Sequence, residues 1–94
     1  MTDSDEIFMQ DLREEFKDSI SNYLVELPAL YTEGNFTEIA RIAHDIKGTA
    51  GVFGYDEGTD IAKELQYAAQ EKNAAETQRL LNHLAEYMKA SGVL

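Results

Sequence analysis

Apolar residues return at every third or fourth position through the N-terminal third of the chain, at Phe8, Leu12, Phe16, Ile20, Leu24 and Leu27. An α-helix turns about 100° per residue, so this spacing lines them along one helical face. No stretch of useful length shows the period-two alternation that a half-buried strand requires. An all-α fold is therefore predicted. Pro28 lacks the amide that would bond back to Leu24, yet Leu30 and Tyr31 continue the stripe. A kink or short break is expected there, with the option of a short extra N-terminal helix.

Glu33-Gly34-Asn35 ends this segment. Asn35 is a good N-cap for a second helix running through Ile39, Ala43, Ile46 and Ala50 to Phe53, where Gly54 can stop it. A third helix is expected from about Asp56 to Lys72, with Ile61, Leu65 and Ala68 inward. Asn73 is expected both to end it and to cap a fourth helix through Leu80, Leu84, Tyr87 and Met88. Short connections predict an antiparallel up-and-down four-helix bundle. Tyr23, Tyr31, Tyr67 and Tyr87 are expected in its core or at the boundary. At 94 residues and 44% apolar content, without a linker-like stretch, the chain reads as one domain, residues 1–94.

Eighteen acidic residues against eight basic ones give a formal net charge of −10. Most of such a surface repels phosphate backbones and anionic lipid, so neither nucleic acid nor membrane is expected as a partner. The absence of cysteine excludes a disulfide framework and thiolate metal sites. The opening segment, MTDSDEIF, is acidic and reads as a solvated helix start. It has no leader pattern, and no run approaches the roughly 20 apolar residues that span a bilayer. A soluble, unprocessed, cytoplasmic monomer is the expectation.

The second helix carries the chemistry. Phe36, Ile39, Ala43, Ile46, Ala50 and Phe53 define its core face, and His44 falls roughly 140° away, toward solvent. Ala40, Lys47, Gly48 and Gly51 lie four before and three, four and seven after it. Each mid-helix glycine costs about 1 kcal/mol relative to alanine, so clearance for a partner's active site is a physical reason for Gly48 and Gly51. A neutral imidazole offers a ring-nitrogen lone pair to phosphorus, and Lys47 can offset charge on a transferred phosphoryl group. An exposed histidine, a lysine or a glycine is ordinary by itself, and the weight rests on their constellation. His83, beside Arg79, Glu86 and Tyr87, has no such surround and reads as a surface residue. Adjacent His44 and Asp45 point about 100° apart and do not readily grip one ion, so no metal site is expected.

The segment AHDIKGTAGVFGY, residues 43–55, resembles the phosphorylation motif of histidine-containing phosphotransfer (HPt) domains, matching at His44, Ile46, Lys47, Gly48, Gly51 and Gly54. The preceding GNFTEIARIAH is similar to the family's approach to its histidine. This resemblance implies a helical bundle in which His44 is the phosphoacceptor, assisted by Lys47, with Ala40, Arg41, Gly48 and Gly51 as docking residues. It also implies that Gln66 corresponds to a glutamine that bonds the second ring nitrogen or steadies the phosphoryl group. Periodicity alone leaves Gln66 equally readable as a boundary polar residue.

The function implied is reversible phosphoryl transfer with a response-regulator receiver domain, in a relay fed by a sensor histidine kinase. Mg²⁺ and the aspartyl pocket would come from the receiver, with no cofactor bound by this chain. No Walker-type nucleotide loop or kinase signature is seen, so a stoichiometric carrier rather than an enzyme is expected. One alternative is an unphosphorylated interaction module that inhibits or scaffolds a receiver or kinase. Another is the phosphoacceptor domain of a chemotaxis-type histidine kinase, disfavoured by Lys63 and Gln66 at positions where that type often has histidine and glutamate, and by the Met1 start.

Overall fold

The structure, a computed structural model, describes the backbone of residues 2–94 and the side chains of residues 8–94. The side chains of the acidic opening, Asp3, Asp5 and Glu6, therefore lie outside the described residues. Four helices make up the fold, with no strand among the described residues: α1 Thr2–Glu33, α2 Phe36–Val52, α3 Asp56–Gln70 and α4 Ala74–Ala90.

Of the kink or short break expected at Pro28, the break does not occur, and no separate N-terminal helix is formed. α1 is one helix of 32 residues with Pro28 inside it. Only the last turn follows the proline, and there the Thr32 hydroxyl donates to the Pro28 carbonyl at 3.1 Å. At about 1.5 Å per residue, α1 accounts for the 48 Å long axis of the molecule. It is about twice as long as α2, α3 or α4, so its early turns run past the helices that could cover them. Phe8, on the predicted apolar stripe, is consequently 63% exposed, and burial begins in earnest at Phe16 and Ile20.

α2 packs mainly on α3 and also on α1, while α3 packs on α4. Sandwiched in this way, α2 buries more of its circumference than a one-sided stripe supplies. Ile39, Ala40, Ile42, Ala43, Ile46 and Ala50 are all covered. Ile61, Ala62, Leu65, Ala68 and Ala69 of α3 complete the centre with Leu80, Leu84 and Met88 of α4. Phe16 is stacked on Tyr55 with ring centroids 5.6 Å apart and lies 5.2 Å from Phe53, tying α1 to the α2–α3 connection. Tyr23, Tyr31 and Tyr87 sit at the core boundary as expected, whereas Tyr67 points outward and is 53% exposed.

The helix ends share one solution. α1, α2 and α4 end at Gly34, Gly54 and Gly92, with φ of +72°, +81° and +81°. Paired backbone bonds reach back into the last turn, as in Gly34 N to Tyr31 O at 3.0 Å and Asn35 N to Leu30 O at 2.9 Å. Glycine suits this left-handed position because it has no Cβ. α3 closes with the same two bonds, Lys72 N to Ala69 O and Asn73 N to Ala68 O, but here Lys72 adopts φ +55°. Composition and spacing place this stop at Asn73. Asn73 instead only caps α4, its side chain accepting from Glu76 N at 3.2 Å, and the left-handed turn falls one residue earlier.

Gly58, in the first turn of α3, has a packing role that periodicity does not reveal. A Cβ built there would lie 2.9 Å from Tyr87 Cε2 and 3.4 Å from Met88 Cε. Gly58→Ala is expected to lower stability by about 1 kcal/mol in urea denaturation, because overpacking outweighs the helix-propensity gain. An unchanged or raised midpoint would show that Tyr87 yields freely.

Candidate functional site

His44 projects from the middle of α2 on the strip that neither α1 nor α3 covers, and it is exposed. The backbone beneath it is held by the buried residues of the same helix, Ile42, Ala43 and Ile46. An imidazole carried on such a packed helix is presented in a fixed direction, which suits a reacting group.

Two grooves flank this histidine, and His44 lines both. On the α3 side the walls are Thr37, Ala40 and Arg41 of α2 with Gln66, Ala69 and Gln70 of α3, together with Lys72 just beyond α3. No acidic residue lines it. On the α1 side the walls are Leu12, Glu15, Phe16 and Ser19 with Asp45, Gly48, Thr49 and Val52. That groove is apolar with an acidic fringe. The ridge bearing His44 thus separates a groove that carries Arg41 and Lys72 from one that carries Glu15 and Asp45.

The sequence-derived candidates divide between these surroundings. Arg41 and Gln66 share the α3-side groove with His44, and buried Ala40 forms its floor. Gly48 lies in the α1-side groove, where a Cβ would meet nothing within 4 Å. Gly51 is turned toward α3, and its Cβ would sit 3.5 Å from Thr59 Oγ1. Lys47 is half-buried at the edge of α2 and lines neither groove, while its carbonyl accepts from Thr59 Oγ1 at 3.3 Å. His83 is exposed on α4 and lines neither groove.

Gln66 gains a feature that sequence could not supply. Its Oε1 is buried without a hydrogen-bond partner among the described residues. It belongs to a side chain lining the groove beside His44, so a donor entering that groove, such as an imidazole N–H, would find an acceptor that no protein group has taken.

Two polar contacts shape the rim. Arg41 Nε donates to Glu38 Oε1 at 2.7 Å, which lowers the Glu38 pKa and raises that of Arg41. The Tyr23 hydroxyl of α1 donates to the Asp45 carboxylate next to His44. Neither periodicity nor motif pointed to Tyr23, because its partner lies 22 residues away. The hydrogen bond to Asp45, followed by burial and the Asp45 charge, raises the Tyr23 pKa above the ordinary tyrosine value.

A family model described as Hpt domain matches residues 11–92. Neither the curated proteins nor the solved structures gave a significant match. No helix among the described residues is long and apolar enough to cross a membrane.

Tyr23→Phe is expected to lower stability by about 0.5–1 kcal/mol at neutral pH, at the low end for a hydrogen bond because the pair is reached by water. The bond needs the protonated phenol. Its stabilisation is therefore complete below the unfolded tyrosine pKa and is lost as pH rises through the raised folded value. Denaturation curves of the two proteins should converge above that pH, and a constant gap would show that packing rather than the hydrogen bond is responsible.

Proposed function

The chain belongs to the Hpt domain family, whose members are histidine phosphocarriers of two-component signalling, and on that premise we propose that His44 is its phosphoacceptor. The observation that carries this reading is the position of His44: exposed on a packed helix, at the crest between two grooves, with the unpaired Gln66 acceptor lining one of them. The donor is a phosphorylated aspartate on a response-regulator receiver. A His44 ring nitrogen gives its lone pair to phosphorus, the P–O bond to the aspartate breaks, and the carboxylate leaves with that electron pair. The other ring nitrogen keeps its proton, and Gln66 Oε1 is the acceptor suited to receive it.

Reversal loads a second receiver, so the chain acts as a stoichiometric carrier between receivers in a relay fed by a sensor histidine kinase. Mg²⁺ belongs to the receiver's aspartyl pocket. Lys47, one turn along α2, offsets part of the charge on the phosphorylated imidazole. The bundle is read as up-and-down and antiparallel, supported by Tyr31 near the end of α1 donating to the carbonyl of Ala74 at the start of α4. A cytoplasmic location fits the partners.

Phosphoramidate, a small donor with a P–N bond, tests the acceptor without a partner. Wild type and His83→Gln should each gain one phosphoryl mass that is labile in acid and stable in base, and folded His44→Gln should gain none. Labelling that persists in His44→Gln would overturn the assignment.

Gly48 tests the docking face. Gly48→Ala should raise stability by up to about 1 kcal/mol because its Cβ enters open space, whereas Gly48→Gln should slow transfer from a receiver without unfolding the protein. Strong destabilisation by glutamine with normal transfer by the folded fraction would identify Gly48 as a packing residue.

A further inference from the structure

Lys72 stands where the fold asks for glycine. The other three helices reach their left-handed terminus with glycine, and only α3 uses a side chain there, at φ +55°. A non-glycine residue in this conformation carries a cost of about 1 kcal/mol or more. The hydrogen-bond pattern does not need the lysine, since the same two backbone bonds close α1, α2 and α4 around glycine. Nor does its ammonium make an ion pair or hydrogen bond among the described residues. What Lys72 does is line, with Arg41, the groove that His44 also lines.

The charge of that groove stands against the rest of the chain. In a protein of net charge −10, it is lined by Arg41 and Lys72 and by no carboxylate. Arg41 is partly neutralised by Glu38, which leaves Lys72 as its uncompensated cation. The groove on the other side of His44 carries Glu15 and Asp45 instead. The surface around the histidine is polarised from α3 to α1, and a partner of opposite polarity has one favoured way to dock.

We propose that Lys72 is a docking cation, retained against its backbone cost so that the acidic, Mg²⁺-binding rim of a receiver's aspartyl pocket approaches His44 over the α2–α3 groove. This rests on the reading of His44 as phosphoacceptor and adds the orientation of the partner and the residue that sets it. An exposed rim charge acts on the rate of encounter and its salt dependence more than on the chemical step. Lys72 is therefore a specificity-determining residue rather than a catalytic one.

The test uses the full chain and a receiver domain selected because, charged with acetyl phosphate and Mg²⁺, it phosphorylates the wild type. Lys72→Gly should be more stable than wild type. Its second-order transfer rate at low salt should fall roughly threefold to tenfold, the low end of electrostatic steering, with a shallower salt dependence and an unchanged rate at saturating receiver. Lys72→Arg should keep the wild-type rate, and Lys72→Glu should lose more than Lys72→Gly. Lys89→Gln removes the same charge from a residue of α4 that lines neither groove, and should leave the rate unchanged.

An unchanged low-salt rate in Lys72→Gly, or an equal loss in Lys89→Gln, would overturn the proposal. A fall confined to the saturating rate would do so as well, by moving Lys72 into the chemistry. These outcomes are separate from failure of the acceptor assignment, which would appear as phosphoramidate labelling of His44→Gln.

Discussion

The burial of α2 between α1 and α3 is the constraint on which the rest of the structure depends. Ile39, Ile42, Ala43, Ile46 and Ala50 are removed from water together, at about 25 cal/mol for each Å² of apolar surface covered. Their burial fixes the rotation of the helix about its own axis. Once that rotation is set, the direction of His44 is set with it, because a residue about 130–140° from the core face has nowhere to point but outward. The imidazole owes its presentation to residues that face away from it, into the core.

The same packing creates the two grooves. Flanking helices that covered α2 completely would bury His44, and a helix covered on one side alone would leave it on a featureless surface. Here the α3 flank supplies Gln66, Ala69 and Gln70, while the α1 flank supplies Leu12, Glu15, Phe16 and Ser19. The difference in charge between them comes from the side chains that line each one, Arg41 and Lys72 in the first and Glu15 and Asp45 in the second. The Tyr23–Asp45 hydrogen bond fastens α1 beside the histidine, so the α1-side wall is held by a specific contact as well as by apolar packing.

Five of the six glycines divide among three distinct jobs. Gly34, Gly54 and Gly92 satisfy backbone conformation, Gly58 makes room for Tyr87, and Gly48 leaves open space next to His44. Only the last two can be told apart by what a methyl group would meet. Gly51, close in sequence to Gly48, differs again, since it faces Thr59 across the α2–α3 contact.

Much of this was legible in the sequence by itself. The helical spacing fixed the class of fold, and Asn35 and Gly54 marked the ends of α2 because capping and left-handed termination are local chemistry. His44 was placed on the solvent side from angular position alone, and the surrounding motif agreed with the family match over residues 11–92. What sequence misjudged depended on how far neighbouring helices extend and where they lie. Pro28 was accommodated within one turn of the helix end, Phe8 lay beyond the reach of the shorter helices, and Tyr67 faced outward. Lys72 took the turn expected at Asn73. The Tyr23–Asp45 bond, the clearance beside Gly58 and the unpaired Gln66 oxygen each need atoms from distant segments or a measure of enclosure. Periodicity specifies which way a side chain leaves its own helix, but only the packed helices decide what it meets there.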